Sequence, residues 1–369
     1  MHYTKELLAI KKAGAKRTRE IFPSEYLDFA SNDYLGLGFS KRSLRKAYKL
    51  TLKPHNNAPR ASMLVNGYSK LHKSLESKLA SINGFEKCIL VGSGFLANIA
   101  LIESLVRKND FIFIDESYHA SGILASKLVK NAVFFKHNDF LDLEHKISQN
   151  CTKIPQDSRI LIAIEGIYSM SGDIAPKEFA KIALKYNAIL IVDEAHSSGV
   201  LGQNLLGYFD YYGIKSHPNF IKLGTFSKAY GSYGAYILSS KHIYKYLQTR
   251  AKPIIYSTAL SAFDSALALV NLNFIHKNRS KLRKKIAAAK RIVYKKLKIK
   301  LDSQIFSIQF QSQNEMLKVA AMLKSHKILV GAIRKPSVPK PQLRIILSIK
   351  HSKKDIINLC SLLKTISKK

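Results

Sequence analysis

One lysine, Lys228, lies in a setting that suits covalent chemistry. It ends the run Gly224-Thr-Phe-Ser-Lys228, which follows the apolar segment Phe220–Leu223. The hydroxyl residues Thr225 and Ser227 therefore precede it closely. A lysine amine forms a Schiff base with a carbonyl group, and neighbouring hydroxyls can bind a phosphate. In isolation Lys228 would be one surface lysine among many, but these neighbours favour a chemical role.

An acid and a histidine precede this lysine in the sequence. The apolar run Ala188–Val192 predicts a buried parallel strand that ends on Asp193, and His196 follows three residues later. A buried carboxylate needs a cationic partner, because an unpaired buried charge is very costly. Together the three residues indicate pyridoxal phosphate chemistry, in which the lysine holds the cofactor and the acid pairs with its pyridine nitrogen.

Two other enzyme classes share parts of these motifs. The letters Asp193-Glu-Ala-His196 also spell the Mg²⁺-binding box of a helicase, but no Gly-Lys pair occurs, so the phosphate loop of that class is missing. The run Gly92-Ser-Gly-Phe-Leu-Ala97 matches the dinucleotide fingerprint, and Asp115 ends a later predicted strand. A nicotinamide enzyme is therefore an alternative, although it leaves the lysine unexplained.

The chain is strongly basic, with 60 Lys+Arg against 25 Asp+Glu and a formal net charge of +35. Nucleic-acid binding is the obvious interpretation of such a charge. The lysines are spread along the whole chain and accompany no nucleic-acid motif, so we favour a general basic bias. A narrower option is that positive charges at the rim of the binding site attract an anionic substrate carrier.

The cysteine content and the length of the apolar runs indicate the cellular compartment. Cys88, Cys151 and Cys360 are odd in number and far apart, which predicts reduced thiols in the cytoplasm and neither a disulfide framework nor a metal site. No apolar run approaches the roughly 20 residues of a membrane span.

Strands and helices alternate from Cys88 to Leu238, which predicts an α/β fold with a doubly wound, mostly parallel sheet. Ligands of such sheets bind at the carboxyl ends of the strands. The candidate residues predicted at that edge are Gly94, Asp115, Glu165, Asp193 and Thr225. We expect an N-terminal arm (residues 1–38), a large cofactor-binding domain (39–277) and a small α+β domain (278–369).

A proline-rich loop of the small domain carries an arginine at each end. Arg334 and Arg344 bracket three prolines, Pro336, Pro339 and Pro341. A guanidinium meets a carboxylate through two parallel hydrogen bonds, so this loop is a candidate carboxylate clamp, although a solvated basic loop would look similar.

Six stretches together resemble the α-oxoamine synthase family of fold-type I pyridoxal-phosphate enzymes over nearly the whole chain. They are Ser31–Leu37, Ser93–Asn98, Tyr118–Ser121, Glu165–Met170, Val192–His196 with Gly199–Gly202, and Gly224–Lys228. The resemblance implies a homodimer and a fold with a large domain and a small C-terminal one. From the composition we expect no membrane partner and do not favour a nucleic-acid partner.

The resemblance also implies roles for individual residues. Lys228 would hold the cofactor, Asp193 its ring nitrogen and His196 its phenolic oxygen, while His119 would stack on the ring. The remaining cofactor-binding candidates are Ser93, Gly94, Phe95, Ser169, Thr225 and Ser227, with Ser257 and Thr258 reaching in from a neighbouring subunit. The substrate-binding candidates are Arg17, Asn32, Arg334 and Arg344, of which Arg344 would bind the amino-acid carboxylate.

Within the family, the segment Ala332–Pro339 is most similar to that of the biotin-pathway members. These join L-alanine to a pimeloyl thioester, carried on coenzyme A or on an acyl carrier protein, with loss of CO₂. A glycine acetyltransferase or another pyridoxal-phosphate enzyme is the alternative.

Overall fold

The computed structural model describes residues 2–14, 16–52, 58–150, 154–155 and 157–366. Within these residues, no helix is long and apolar enough to cross a membrane. Cys88 and Cys360 are buried free thiols, and Cys151 lies outside the described residues.

The described residues form thirteen α-helices, a short 3-10 helix (Leu37–Phe39) and twelve strands. The helices are α1 (Thr4–Lys12), α2 (Lys41–Leu52), α3 (Lys70–Asn83), α4 (Gly94–Leu105), α5 (Ala120–Ser126), α6 (Phe140–Asn150), α7 (Glu178–Lys185), α8 (Tyr208–Tyr212), α9 (Lys241–Arg250), α10 (Lys252–Ile255), α11 (Ala262–Leu297), α12 (Gln313–Ser325) and α13 (Lys353–Ile366). The strands are β1 (Leu27–Asp28), β2 (Lys87–Val91), β3 (Phe111–Asp115), β4 (Ala132–Phe135), β5 (Ile160–Glu165), β6 (Ile189–Asp193), β7 (Phe220–Thr225), β8 (Ala235–Ser239), β9 (Ile305–Gln309), β10 (Ile328–Leu329), β11 (Gly331–Ile333) and β12 (Gln342–Ile346).

Seven strands form the main sheet in the order β2-β8-β7-β6-β5-β3-β4. Strands β3 to β7 pair in parallel, and β8 runs antiparallel to both of its neighbours. This confirms the predicted doubly wound, mostly parallel sheet. Because the parallel strands share one direction, their acids and hydroxyls at positions 115, 165, 193 and 225 end at the same edge.

Apolar residues cover both faces of this sheet. Ile162, Ile164 and Val192 pack into one core cluster, whereas Leu161 and Ile191 pack into the cluster on the opposite face. Successive side chains of a strand point to opposite faces, so a strand covered on both sides must be apolar almost throughout. Strands β5 and β6 have this composition up to the carboxylates that end them.

The C-terminal part has a separate three-stranded antiparallel sheet, β11-β12-β9, with its own core. The short strand β1 pairs in parallel with β10 and so joins the N-terminal segment to this part. Helix α11 is 36 residues long, and its buried side chains contribute to both cores, Leu282 to one and Val293 to the other. The domain boundaries at residues 38 and 277 stay a prediction.

Candidate active site

A chain of hydrogen bonds begins at the Lys228 amine. Its Nζ lies 2.8 Å from Nε2 of His196, and Nδ1 of His196 lies 2.6 Å from the hydroxyl of Tyr34. The Tyr34 hydroxyl reaches Asn32 Oδ1 at 3.4 Å, and Arg344 Nη2 donates to the same oxygen at 3.0 Å. Residues from four separate parts of the sequence thus form one connected polar network.

Burial changes the proton affinity of this network. Desolvation lowers the pKa of Lys228 to about 8, although the negative charges of Asp193 and Glu165 oppose the change. Desolvation also lowers the pKa of His196 well below its usual value, and the nearby Lys228 and Arg344 charges add to that. The imidazole is therefore neutral at neutral pH, and a useful fraction of Lys228 is the nucleophilic free amine.

Asp193, at the carboxyl end of β6, is fixed by donors on both oxygens. Asn98 Nδ2 donates to Oδ2 at 2.8 Å, and the backbone N–H of Ala195 donates to Oδ1 at 2.9 Å. Asn98 is itself held by the Tyr118 hydroxyl, which donates to its Oδ1 at 2.7 Å. Donors of this kind stabilise the ionised carboxylate, so Asp193 can serve as a fixed negative charge.

His119 caps the N-terminus of α5. Its Nδ1 accepts from the backbone N–H of Ser121 at 3.3 Å and lies 2.7 Å from the hydroxyl of that serine. Desolvation lowers the pKa of His119, the Asp193 charge opposes this, and Lys228 lowers it further. The ring is therefore a neutral, oriented plane near Lys228 and Asp193, which suits stacking on an aromatic ligand.

The turn after β6 depends on a second acid, Glu194, which faces away from this network. Its Oε2 accepts from the backbone N–H of Tyr208 at 2.7 Å and from the Ser197 hydroxyl. The buried Lys222 amine lies 3.8 Å from its Oε1. The four helicase-like letters thus divide into two that line the network, Asp193 and His196, and an acid that anchors their turn.

Arg344, in β12, presents a buried guanidinium to the network. Nε donates to the backbone carbonyl of Ser169, and Nη2 donates to Asn32. No carboxylate of the described residues forms an ion pair with it. A buried cation without an anionic partner is costly, so this guanidinium is suited to an anionic ligand.

Asp115 has no capacity left for a ligand. The Tyr168 hydroxyl donates to its Oδ2 at 2.7 Å, His137 Nδ1 lies 3.1 Å from its Oδ1, and two backbone N–H groups, those of Ser117 and Asn138, also donate to it. Asp115 is therefore not available to bind the ribose of a nicotinamide cofactor.

Other predicted site residues lie outside the network. Ser227, Phe95 and Thr258 are exposed, Ser257 is half-buried, and Arg17 is exposed on the segment after α1. Arg334 Nη2 donates to the backbone carbonyl of Lys16 at 3.1 Å. Their roles stay predictions.

Comparison with known proteins gives the family. The family model "Aminotransferase class I and II" matches residues 24–363. The chain belongs to this family. An 8-amino-7-oxononanoate synthase of Helicobacter pylori (strain ATCC 700392 / 26695) is 45% identical over 99% of this chain and 98% of its own. A putative 8-amino-7-oxononanoate synthase of Aquifex aeolicus is 36% identical over 98% of each chain.

Solved structures agree with the fold. The 8-amino-7-oxononanoate synthase of Francisella tularensis is 28% identical, with a TM-score of 0.74 over 94% of this chain and 98% of that one. A serine palmitoyltransferase of Sphingomonas wittichii has a TM-score of 0.89 over 100% and 98% of the two chains, and its 23% identity shows the fold alone. The expected α-oxoamine synthase resemblance is confirmed, and the chain is an acyl-transferring enzyme that uses pyridoxal phosphate.

The residues present fit that cofactor. Thr225 Oγ1 is buried without a hydrogen-bond partner among the described residues, next to Gly94 at the start of α4. A Cβ atom at Gly94 would lie only 2.6 Å from Thr225 Cγ2, so a glycine keeps this approach open. Backbone N–H groups at a helix N-terminus can bind anions, and α4 begins at Gly94. Thr225, Gly94 and Ser93 would hold the phosphate, Asp193 the ring nitrogen, and Lys228 the aldehyde carbon.

Sequence reasoning assigned no role to three residues of this site: Tyr34, Asn98 and Glu165. Tyr34 and Asn98 lie inside stretches that carried the family resemblance, so the signal was present at the level of the motif. Glu165 was placed at the shared strand edge only. What could not be read was the direction of each side chain, because the partners lie 95 residues away for Asn98 and 162 for Tyr34.

Proposed function

We propose that this enzyme condenses L-alanine with a pimeloyl thioester, with loss of CO₂, to give 8-amino-7-oxononanoate, a step of biotin synthesis. The observation that carries the proposal is the continuous network from the Lys228 amine to the Arg344 guanidinium. An amino acid whose carboxylate binds Arg344 and Asn32 places its Cα near Lys228. The names of the full-length relatives support the same product.

The residues of the chain divide the work of this reaction. When bound, pyridoxal phosphate supplies an electron sink for the pair left at Cα, and Asp193 holds the ring nitrogen protonated. Lys228, with its pKa near 8, takes the Cα proton of alanine and later returns one. Neutral His196 would donate from Nε2 to the phenolic oxygen, in the tautomer whose Nδ1 accepts the Tyr34 hydroxyl proton. The new carbon–carbon bond expels the thiol, and the alanine carboxylate leaves as CO₂.

A cavity lined by the sequence neighbours of His119 and Ser169 and by the proline-rich loop supports an extended acyl donor. It has a volume of about 1110 Å³, and Tyr118, Tyr168 and the proline-rich loop line it. Ile123, Phe134 and Val338 make part of its wall apolar, and Lys127, Lys335 and Lys340 add cations. An apolar wall with nearby cations suits a long aliphatic chain on an anionic carrier, either coenzyme A or an acyl carrier protein.

We also propose that the working form is a homodimer. Ser257 and Thr258 lie between α10 and α11, and the Thr258 side chain is exposed in the single chain. On the family resemblance they contribute to the cofactor site of a partner subunit.

A matrix of amino acids and thioesters tests the substrate assignment. L-Alanine and glycine are each paired with pimeloyl and acetyl thioesters, and kcat/KM is measured for every pair. We expect the alanine–pimeloyl pair to exceed each other pair by about 10-fold or more, because a single methylene group is worth roughly that factor. A preference for glycine with the acetyl thioester would instead assign a glycine acetyltransferase.

A further inference from the structure

Glu165 is a buried acid of the site to which the reaction assigns no role. It ends β5, is 2% exposed, and is the register partner of Asp193 at the end of β6. Its Oε2 accepts a hydrogen bond from the backbone N–H of Ser169 at 3.2 Å. Its Oε1 is buried and has no hydrogen-bond partner among the described residues. An unpaired buried oxygen is costly, so its presence at a binding site indicates a partner on the ligand.

The two neighbouring acids differ in their donors. Asp193 has a donor on each oxygen, from Asn98 and Ala195, whereas Glu165 has the single Ser169 donor. Two adjacent buried carboxyl groups resist double ionisation, and the one with more donors keeps the charge. Since Oε2 of Glu165 accepts the Ser169 N–H, the proton of a neutral Glu165 belongs on Oε1.

We propose that Glu165 is a neutral hydrogen-bond donor of the active site, whose Oε1–H binds an oxygen atom of the bound amino acid or cofactor while Asp193 carries the charge. The location favours this: Ser169, whose N–H holds Glu165, also receives the Arg344 guanidinium on its carbonyl. Glu165 and Arg344 therefore bind the same residue, Ser169, one at its N–H group and the other at its carbonyl. This inference rests on the proposed function in one respect, the identity of the amino acid as alanine.

The electrostatic surroundings agree. Burial raises the pKa of Glu165 well above its usual value, and Asp193 and Asp115 raise it further, while Lys228 and the Ser169 N–H lower it. Strands β3 and β6 flank β5 and bring the two aspartates, and the other groups near Glu165 are Lys228, Tyr34, Tyr118 and Tyr168. Of the charged groups that act on the Glu165 pKa, Asp193 and Asp115 therefore oppose its ionisation and Lys228 favours it.

Two substitutions separate a donor from a charge. Glu165→Gln keeps a neutral donor and an acceptor in nearly the same shape, so kcat/KM near pH 7 should stay within about 3-fold of wild type. Glu165→Met keeps the length without the donor and should lose about 10- to 100-fold. The control Glu315→Gln, at an exposed glutamate, should change nothing. If Glu165→Gln loses as much activity as Asp193→Asn, Glu165 works as an anion and the proposal is wrong.

Infrared spectroscopy of the holoenzyme gives a readout besides activity. The difference between wild type and Glu165→Gln near pH 7 should contain the carbonyl stretching band of a protonated carboxylic acid. Absence of the band would overturn the proposal.

Two binding measurements on Glu165→Met identify the acceptor. A weaker cofactor affinity assigns the Oε1–H to a cofactor oxygen, and a weaker spectral titration with L-alanine assigns it to the amino acid. If both affinities equal those of wild type, Glu165 is no donor to either. The infrared result uses no acyl substrate, so it stands or falls independently of the proposed condensation.

Discussion

At the scale of single residues, the site combines an amine of lowered basicity with fixed charges at both ends. His196 lies between the Lys228 amine and the Tyr34 hydroxyl and stays neutral because burial and two nearby cations oppose its protonation. Arg344 supplies the positive end and Asp193 the negative end. In the proposed reaction, Arg344 would bind the amino-acid carboxylate and Asp193 the protonated pyridine ring.

Replacing Lys228 should stop the reaction without unfolding the protein. Lys228→Ala removes a half-buried side chain that ends in a polar network, so the apolar core is untouched. We expect turnover to vanish, together with cofactor that borohydride can trap on the protein, at an unchanged far-UV circular dichroism spectrum. Borohydride-trapped cofactor in the variant would place the covalent link on another lysine.

The pH dependence of cofactor loading should report the Lys228 amine. Because burial lowers its pKa to about 8, the rate at which cofactor-free protein binds pyridoxal phosphate should rise about tenfold per pH unit and level off above that value. The Asp193 charge raises the Lys228 pKa, so Asp193→Asn should move the midpoint to lower pH. Stopped-flow absorbance measures both, and a midpoint near 10 would contradict the assignment.

The two arginines of the proline-rich loop should act on different substrates. Arg344→Ala removes the buried guanidinium proposed to pair with the alanine carboxylate, which should raise the KM for alanine and lower kcat/KM by about 30- to 1000-fold. Arg334, which contacts the Lys16 carbonyl, should affect mainly the thioester. Steady-state kinetics with each substrate varied in turn decides this. Unchanged thioester parameters in Arg334→Ala would show that Arg334 is one more solvated charge.

At the scale of elements, the turn after β6 must pack closely against the segment that carries Lys228. Gly199 has φ +91°, and a Cβ atom there would lie 2.6 Å from the Cβ of Ala229. Gly84, at the end of α3, also has positive φ (+71°), but a Cβ there would meet nothing within 4 Å. The pair therefore separates backbone strain from packing.

Gly199→Ala should destabilise the enzyme more than Gly84→Ala. The second change costs about 1 kcal/mol of left-handed strain, whereas the first adds about 1–3 kcal/mol of overpacking and should also lower kcat. Denaturant unfolding and kinetics on both variants measure the difference. Equal losses of unfolding free energy in the two variants would show that a Cβ atom at position 199 is accommodated without a packing penalty.

Sequence patterns predicted the elements of this site better than its contacts. The helical spacing of Leu71, Leu75, Leu79 and Ile82 predicts a helix over Lys70–Asn83, which is the extent of α3 in the structure. The apolar runs Arg159–Ile164 and Ala188–Val192 predict strands, and β5 and β6 agree with them within one residue at each end. No individual prediction covers helices α2, α6, α8, α9 and α10 or strands β4 and β8.

The contacts themselves depend on how the strands lie beside one another. Order β7-β6-β5-β3 places Glu165 beside Asp193, which no local pattern encodes. The apolar run Ile328–Ile333 predicts one strand, but the structure divides it into β10 and β11, which pair with different partners. A local pattern shows that a segment is extended and does not show to which sheet it belongs.

At the scale of the whole molecule, the large positive charge is separate from the chemistry. The net charge of +35 is far from zero, while the site itself contains as many acids as cations. Such a charge favours anionic partners through long-range attraction and says nothing about the fold. The family and the buried network, rather than the charge, therefore define what the molecule does.

The fate of the alanine carboxyl carbon tests the central claim most directly. Wild-type holoenzyme is given L-alanine labelled at the carboxyl carbon and pimeloyl thioester, and labelled CO₂, free thiol and any pyruvate are measured together. The decarboxylative condensation proposed here predicts equal amounts of CO₂ and thiol, with no pyruvate. Formation of pyruvate without CO₂ would show amino-group transfer, and thiol release without CO₂ would show hydrolysis, and either result would contradict the account.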